Sequence, residues 1–169
     1  MHSAGVYGFI SRLYRLSNVA QSALNIVFGS KAAKSYADSD INKLNALTRS
    51  VVLVNTTNAI LFFIVFLIAS EFILRIIEPD LLQGKAALLI LLASAILRSL
   101  CGPVSVTANM TGNQSNALKI TLLTLIMGGL LICVLTVNFG LAGTATGMSF
   151  LTVTRALLLR RMLKQELVK

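Results

Sequence analysis

Apolar residues dominate this chain in long blocks broken by short polar stretches, and the blocks set the architecture. Val51 to Ser70 carries no charge and, at ~1.5 Å per residue, is long enough to cross a hydrocarbon layer of ~30 Å as a helix, within a predicted span at about 51–74. A first segment, about 6–28, intersperses apolar residues with Arg12, Arg15, Asn18, Ser22 and Asn25. Steps of three, four and three from Arg15 to Asn25 follow the helical period, so this segment predicts a spanning helix with one polar stripe turned inward. A third block, 86–110, is interrupted by Arg98 and by Gly102-Pro103, which predicts one bent helix. Blocks at 118–137 and 141–160 complete the set, separated only by Asn138-Phe139-Gly140. Gly128-Gly129 in the fourth block predicts close helix contact.

The pattern therefore predicts an all-α polytopic membrane helix bundle of about five transmembrane helices, forming a single transmembrane domain over residues 1–169. Between the blocks, residues 29–49 read as a basic loop or short surface helix, Glu71 to Lys85 as an acidic break around Pro79, and Thr111 to Asn116 as a short polar turn.

Composition agrees with lipid as the solvent: 56% of the residues are hydrophobic and 12% charged, against ~25% charged in ordinary soluble domains. The net charge of +9 raises the question of nucleic acid, but the basic residues fall between apolar blocks rather than on one soluble face, so no nucleic-acid partner is expected. Lys and Arg number four in the 29–49 loop and one at 111–119, with a further cluster after Leu159; residues 71–85 hold two beside three acids, and 138–140 hold none. The positive-inside rule then places the 29–49 loop and the C-terminus in the cytoplasm and the N-terminus outside. A chain starting outside without a signal sequence suggests a fragment of a longer protein.

Candidate chemistry is confined to cations inside the blocks. A cation near mid-membrane costs ~2.5–3.5 kcal/mol on insertion scales, and Arg98 shares a helical face with Ser94, Cys101, Ser105 and Asn109. Arg12, Arg15 and Arg98 with Asn18 and Ser105 are the candidate substrate-binding residues, because guanidinium groups grip phosphate oxygens and the blocks offer almost no carboxylate to neutralise them, Glu71 standing at a boundary. A structural alternative has Arg12 and Arg15 reaching a head group and Arg98 capping the kink or binding lipid phosphate. Asn55, Thr56, Thr57 and Asn58 read as interhelical hydrogen-bonding groups, as do Ser149, Thr152 and Arg155. No catalytic triad, carboxylate pair, nucleotide-binding loop or metal-ligand spacing occurs, so neither an enzyme nor a cofactor is expected, and His2 as the sole histidine leaves no metal site.

Several stretches resemble the polysaccharide flippases of the multidrug/oligosaccharidyl-lipid/polysaccharide exporter superfamily. Gly5-Val6-Tyr7-Gly8 with Arg12 resembles the start of a helix in the C-terminal lobe. Ala37-Asp38-Ser39-Asp40 with Leu44 is similar to the linker after it. Ala87 to Leu92, Gly102-Pro103 and the Thr111-Gly112-Asn113-Gln114 turn with Ala117 and Lys119 look like the family's helix–turn–helix. Phe139-Gly140-Leu141-Ala142-Gly143-Thr144-Ala145 resembles its short outer turn. The resemblance implies most of the C-terminal lobe of a two-lobe transporter in a bacterial inner membrane, moving an undecaprenyl-pyrophosphate-linked oligosaccharide for surface polysaccharide synthesis. It makes Arg12 the first contact for the pyrophosphate, with Arg15 and Arg98 in support. The implied partners are membrane lipids, the lipid-linked substrate, and a separate N-terminal lobe or a second copy. The alternatives are a cation-coupled drug exporter, which needs an intramembrane carboxylate, and a non-transporting membrane scaffold.

Overall fold

Apart from the Pro103 bend in the third, the long apolar blocks lack interior proline, and the first two fold as helices that run well beyond their hydrophobic limits. The computed structural model describes residues 2–38, 40–77, 82, 84–110 and 112–167. Within them the chain is all helical, as α1 (His2–Ala37), α2 (Ile41–Ile77), α3 (Lys85–Cys101), α4 (Val104–Met110) and α5 (Gln114–Leu167). Three helical stretches, Asn42–Leu74, Lys85–Met110 and Gln114–Leu163, are long and apolar enough to cross a membrane. α1 is not among them, because its interior polar residues dilute it. It is nonetheless a full-length strut of the bundle.

The predicted loop at 29–49 is instead mostly helix. α1 extends 36 residues and α2 37, each roughly 55 Å at 1.5 Å per residue, so both outrun a ~30 Å hydrocarbon core. Lysine, alanine and serine are compatible with a helix whose exposed face meets water, so polarity alone did not end it. α1 ends at Ala37 and α2 begins at Ile41. Asp40 supplies the start of α2: its Oδ1 accepts from the Lys43 backbone N–H at 2.9 Å, an N-cap bond to the third helical residue. The acidic break is shorter than expected too, since α2 runs to Ile77; Glu78 to Leu81, including Pro79, lie outside the described residues.

The bend in the third block is where the sequence places it. Gly102 has φ +84, a left-handed conformation suited to glycine, and its N–H turns back to the Ser99 carbonyl at 3.0 Å. Proline at 103 has no N–H to continue the ladder. α4 then restarts with the Val104 N–H donating to the Gly102 carbonyl at 2.8 Å.

The fourth and fifth blocks join without a loop. At Gly140 (φ 57, ψ −132) the backbone leaves the helical region, and the arms 114–139 and 141–167 fold back on each other. A side chain at Gly143 would strike the Leu135 carbonyl, one at Gly147 would lie 2.7 Å from Ile132 Cγ1, and one at Gly128 would strike Leu151. Residue pairs 135/143, 132/147 and 128/151 define an antiparallel hairpin held by small residues, as in membrane helix packing. Thr136 and Thr144 share a 2.9 Å hydroxyl contact across it.

α3 is the centre of the bundle, packed by α1, α2 and α5. One apolar cluster joins Val6, Ile10, Leu74, Leu88, Leu92 and Ala145. At the opposite end, Phe28, Ala32 and Leu44 pack with Val106, while Ala108 and Ala117 pack with Leu159 and Leu163. Five passes therefore alternate in direction, with α4 continuing the third. The outer faces are apolar: Ile68, Phe72, Leu130 and Val137 are each more than two-thirds exposed, which is the surface lipid would cover.

Candidate functional site

Between α1, α3–α4 and the second arm of α5 lies a polar cleft of about 200 Å³. α1 contributes Asn18, Gln21, Ser22 and Asn25; α3 contributes Arg98 and Ser99; Ser105 comes from α4, and Thr152 and Arg155 from α5. The Gly102–Pro103 bend swings α4 away from the α3 axis, so Ser105 joins the wall rather than continuing the helical stripe below Arg98. No carboxylate is found among the described lining residues.

Arg98 is the hub. Its Nη2 donates to Asn18 Oδ1 and, at 2.9 Å, to Gln21 Oε1. Gln21 Nε2 continues toward the Asn55 carbonyl at 3.5 Å. Asn55 Nδ2 lies 3.4 Å from Asn25 Oδ1, and Asn58 Nδ2 donates to the Ser17 carbonyl at 3.2 Å. Ser99 Oγ donates to Ile96 at 2.7 Å and sits 3.1 Å from Thr56 Oγ1. These bonds tie α1, α2 and α3 together, and they satisfy a charge in a region where water is scarce. The amide and hydroxyl groups of α2 accordingly serve as interhelical bonds.

Arg155 is placed differently. Its Nε is buried with no hydrogen-bond partner, and Asn55 Oδ1 is buried likewise. Two guanidinium-bearing residues thus line the same cleft, one tied into the protein network and one with an unused buried donor. The sequence pattern grouped Arg155 with Ser149 and Thr152 as packing groups. Its position three residues after Thr152, as the sole charge in the stretch 120–159, is the signal that set it apart.

Of the five candidates, Arg98, Asn18 and Ser105 meet in the cleft. Arg12 and Arg15 are exposed on α1 and are not among the described lining residues. The cause is the phase of the buried face. Val6, Ile10, Ser17, Gln21, Phe28, Ala32 and Ser35 are buried positions of α1, the first six spaced by four and seven residues. At ~100° per residue Arg12 and Arg15 fall roughly on the far side of that face, while Asn18 and Asn25 lie at its edge and Ser22 is exposed farther round. The polar stripe in the sequence was real, but its most buried members are Ser17 and Gln21. Gln21 entered no candidate set, although it stands three residues after Asn18.

Against known proteins, the chain matches no family model, no curated protein and no solved structure.

Proposed function

We propose that this chain forms part of a membrane exporter whose path accommodates an anionic, lipid-linked oligosaccharide, the activity that its resemblance to polysaccharide flippases implies. The observation that carries the reading is the cleft itself: Arg98 and Arg155 stand among amides and hydroxyls, with no carboxylate among the described lining residues. Such a set attracts phosphate oxygens by charge and satisfies sugar hydroxyls by hydrogen bonding. A cation-coupled drug exporter has less support, since coupling calls for a carboxylate in this region.

The same reading puts the protein in a bacterial inner membrane with its basic end in the cytoplasm. Lys31, Lys34, Lys43, Arg49, Lys119, Arg160 and Arg161 flank the helix ends that the second and third apolar clusters join, in keeping with the positive-inside rule. A path between two lobes requires a second wall, from a separate N-terminal lobe or another copy.

The bonds from Arg98 to Asn18 and Gln21 favour a second reading, a non-transporting scaffold in which this arginine only locks helices together. Complementation of a strain lacking its polysaccharide flippase separates the two. The chain alone, or with a co-expressed N-terminal lobe, is expected to restore surface glycan, and Arg155→Gln is expected to abolish that restoration while the protein remains inserted. Restoration unaffected by Arg155→Gln contradicts a path through this cleft, and absence of restoration in every combination favours the scaffold.

A further inference from the structure

A second concavity, separate from the polar cleft in most of its lining, opens on the other side of the α3–α4 bend. This groove has a volume of about 600 Å³ and runs between α2, the bend and the end of α5. Its walls are mainly apolar, with Val52, Leu53, Leu100, Val104 and Leu163 beside the neutral polar Asn45, Thr48 and Thr107. Leu53 and Leu100 are 68% and 47% exposed, so the groove opens sideways from the bundle. Arg49 and Arg160 also line it. No acidic residue is among the described lining.

The bend explains why Arg160 sits there. In an unbroken helix the Leu100 carbonyl would accept from the Val104 N–H four residues on, but that N–H is committed to Gly102. Arg160 Nη1 donates to the Leu100 carbonyl instead, at 3.2 Å. A guanidinium has five N–H donors, and this bond accounts for one, fixing the charge at the end of an apolar trough. Arg49 stands one helical turn before Val52 and Leu53, at the same end of the bundle. A groove with apolar walls and paired arginines at the basic end of a membrane bundle is complementary to an amphiphile with a hydrocarbon chain and an anionic head.

We propose that this groove is a binding site for an anionic phospholipid, its acyl chain along Val52, Leu53, Leu100 and Val104 and its phosphate held by Arg49 and Arg160. The site owes nothing to the transport reading. It requires only that the apolar helices lie in a bilayer, and it would be occupied in an exporter or a scaffold alike.

Native mass spectrometry of the detergent-purified full chain tests this, with phosphatidylglycerol and phosphatidylcholine of matched acyl chains added in turn. Phosphatidylglycerol is expected to be retained preferentially. Arg49→Gln and Arg160→Gln should each weaken its retention about fivefold, while Lys31→Gln, on a neighbouring helix end outside the groove, leaves it unchanged. Leu53→Trp, which fills the exposed mouth without altering charge or the buried core, should reduce retention of the lipid as well. Equal retention of both lipids, or a preference that survives both arginine substitutions, overturns the proposal. Displacement of the lipid by millimolar glycerol phosphate as readily as by phosphatidylglycerol would also overturn it, because the site would then read a phosphate without a chain. Circular dichroism of each variant separates loss of the site from loss of the fold.

Discussion

The two arginines of the cleft are held in different ways, and their removal should have unequal costs. Arg98 donates to Asn18 and Gln21, so Arg98→Ala strands two amide oxygens between helices and is expected to destabilise the bundle by about 2–3 kcal/mol. Arg155 has a buried Nε without a partner, so Arg155→Ala relinquishes no bond at that atom and should cost under about 1 kcal/mol. Detergent-solubilised protein unfolded with increasing sodium dodecyl sulfate and followed by circular dichroism gives the comparison. Equal losses for the two variants would show that Arg155 also carries a structural bond. Arg98 as an intramembrane cation in need of polar partners was legible in the sequence, since its period matched its neighbours. Which partners it takes depended on α1 rotating Asn18 and Gln21 toward it.

At the scale of elements, the hairpin of α5 rests on glycines that are not equivalent. Gly143 faces the Leu135 backbone carbonyl, whereas nothing lies within 4 Å of a side chain built at Gly129. Backbone cannot yield as a flexible side chain can, so Gly143→Ala should destabilise the hairpin by about 1–3 kcal/mol. Gly129→Ala should be neutral or stabilise by up to about 1 kcal/mol through helix propensity. The same unfolding titration reads both, and a tolerant Gly143→Ala would mean that the arms are farther apart than described. Gly128-Gly129 was the sequence's signal for close contact, and only Gly128 makes one. Phase around the helix decided between them, because neighbours in sequence point about 100° apart.

Over the whole molecule, alternation of five passes brings the basic helix ends together and leaves Glu71 and Lys85 paired at 3.3 Å at the other end. In intact cells, with Cys101→Ser and Cys133→Ser as background, a membrane-impermeant maleimide should label Asn138→Cys. Asn116→Cys should react only after permeabilisation. The reverse pattern would invert the orientation that charge predicts.

The sequence by itself determined that the chain is helical, where α3 gives way to α4 and where α5 reverses, because apolar block length, proline and glycine act locally on the backbone. It overstated the loop at 29–49 and understated α1, since a helix leaving a membrane keeps its internal hydrogen bonds in water and polarity does not stop it. The tertiary structure decided which polar residues meet. Burial of Ile10, Ser17 and Gln21 fixed the rotation of α1, sending Arg12 and Arg15 outward and bringing Asn18 to Arg98. Arg155 entered the cleft and Arg160 the groove because parallel packing of the second α5 arm on α3 matches residues far apart in sequence. Helical period reveals which residues of one helix share a face. Only packing between helices reveals what that face confronts.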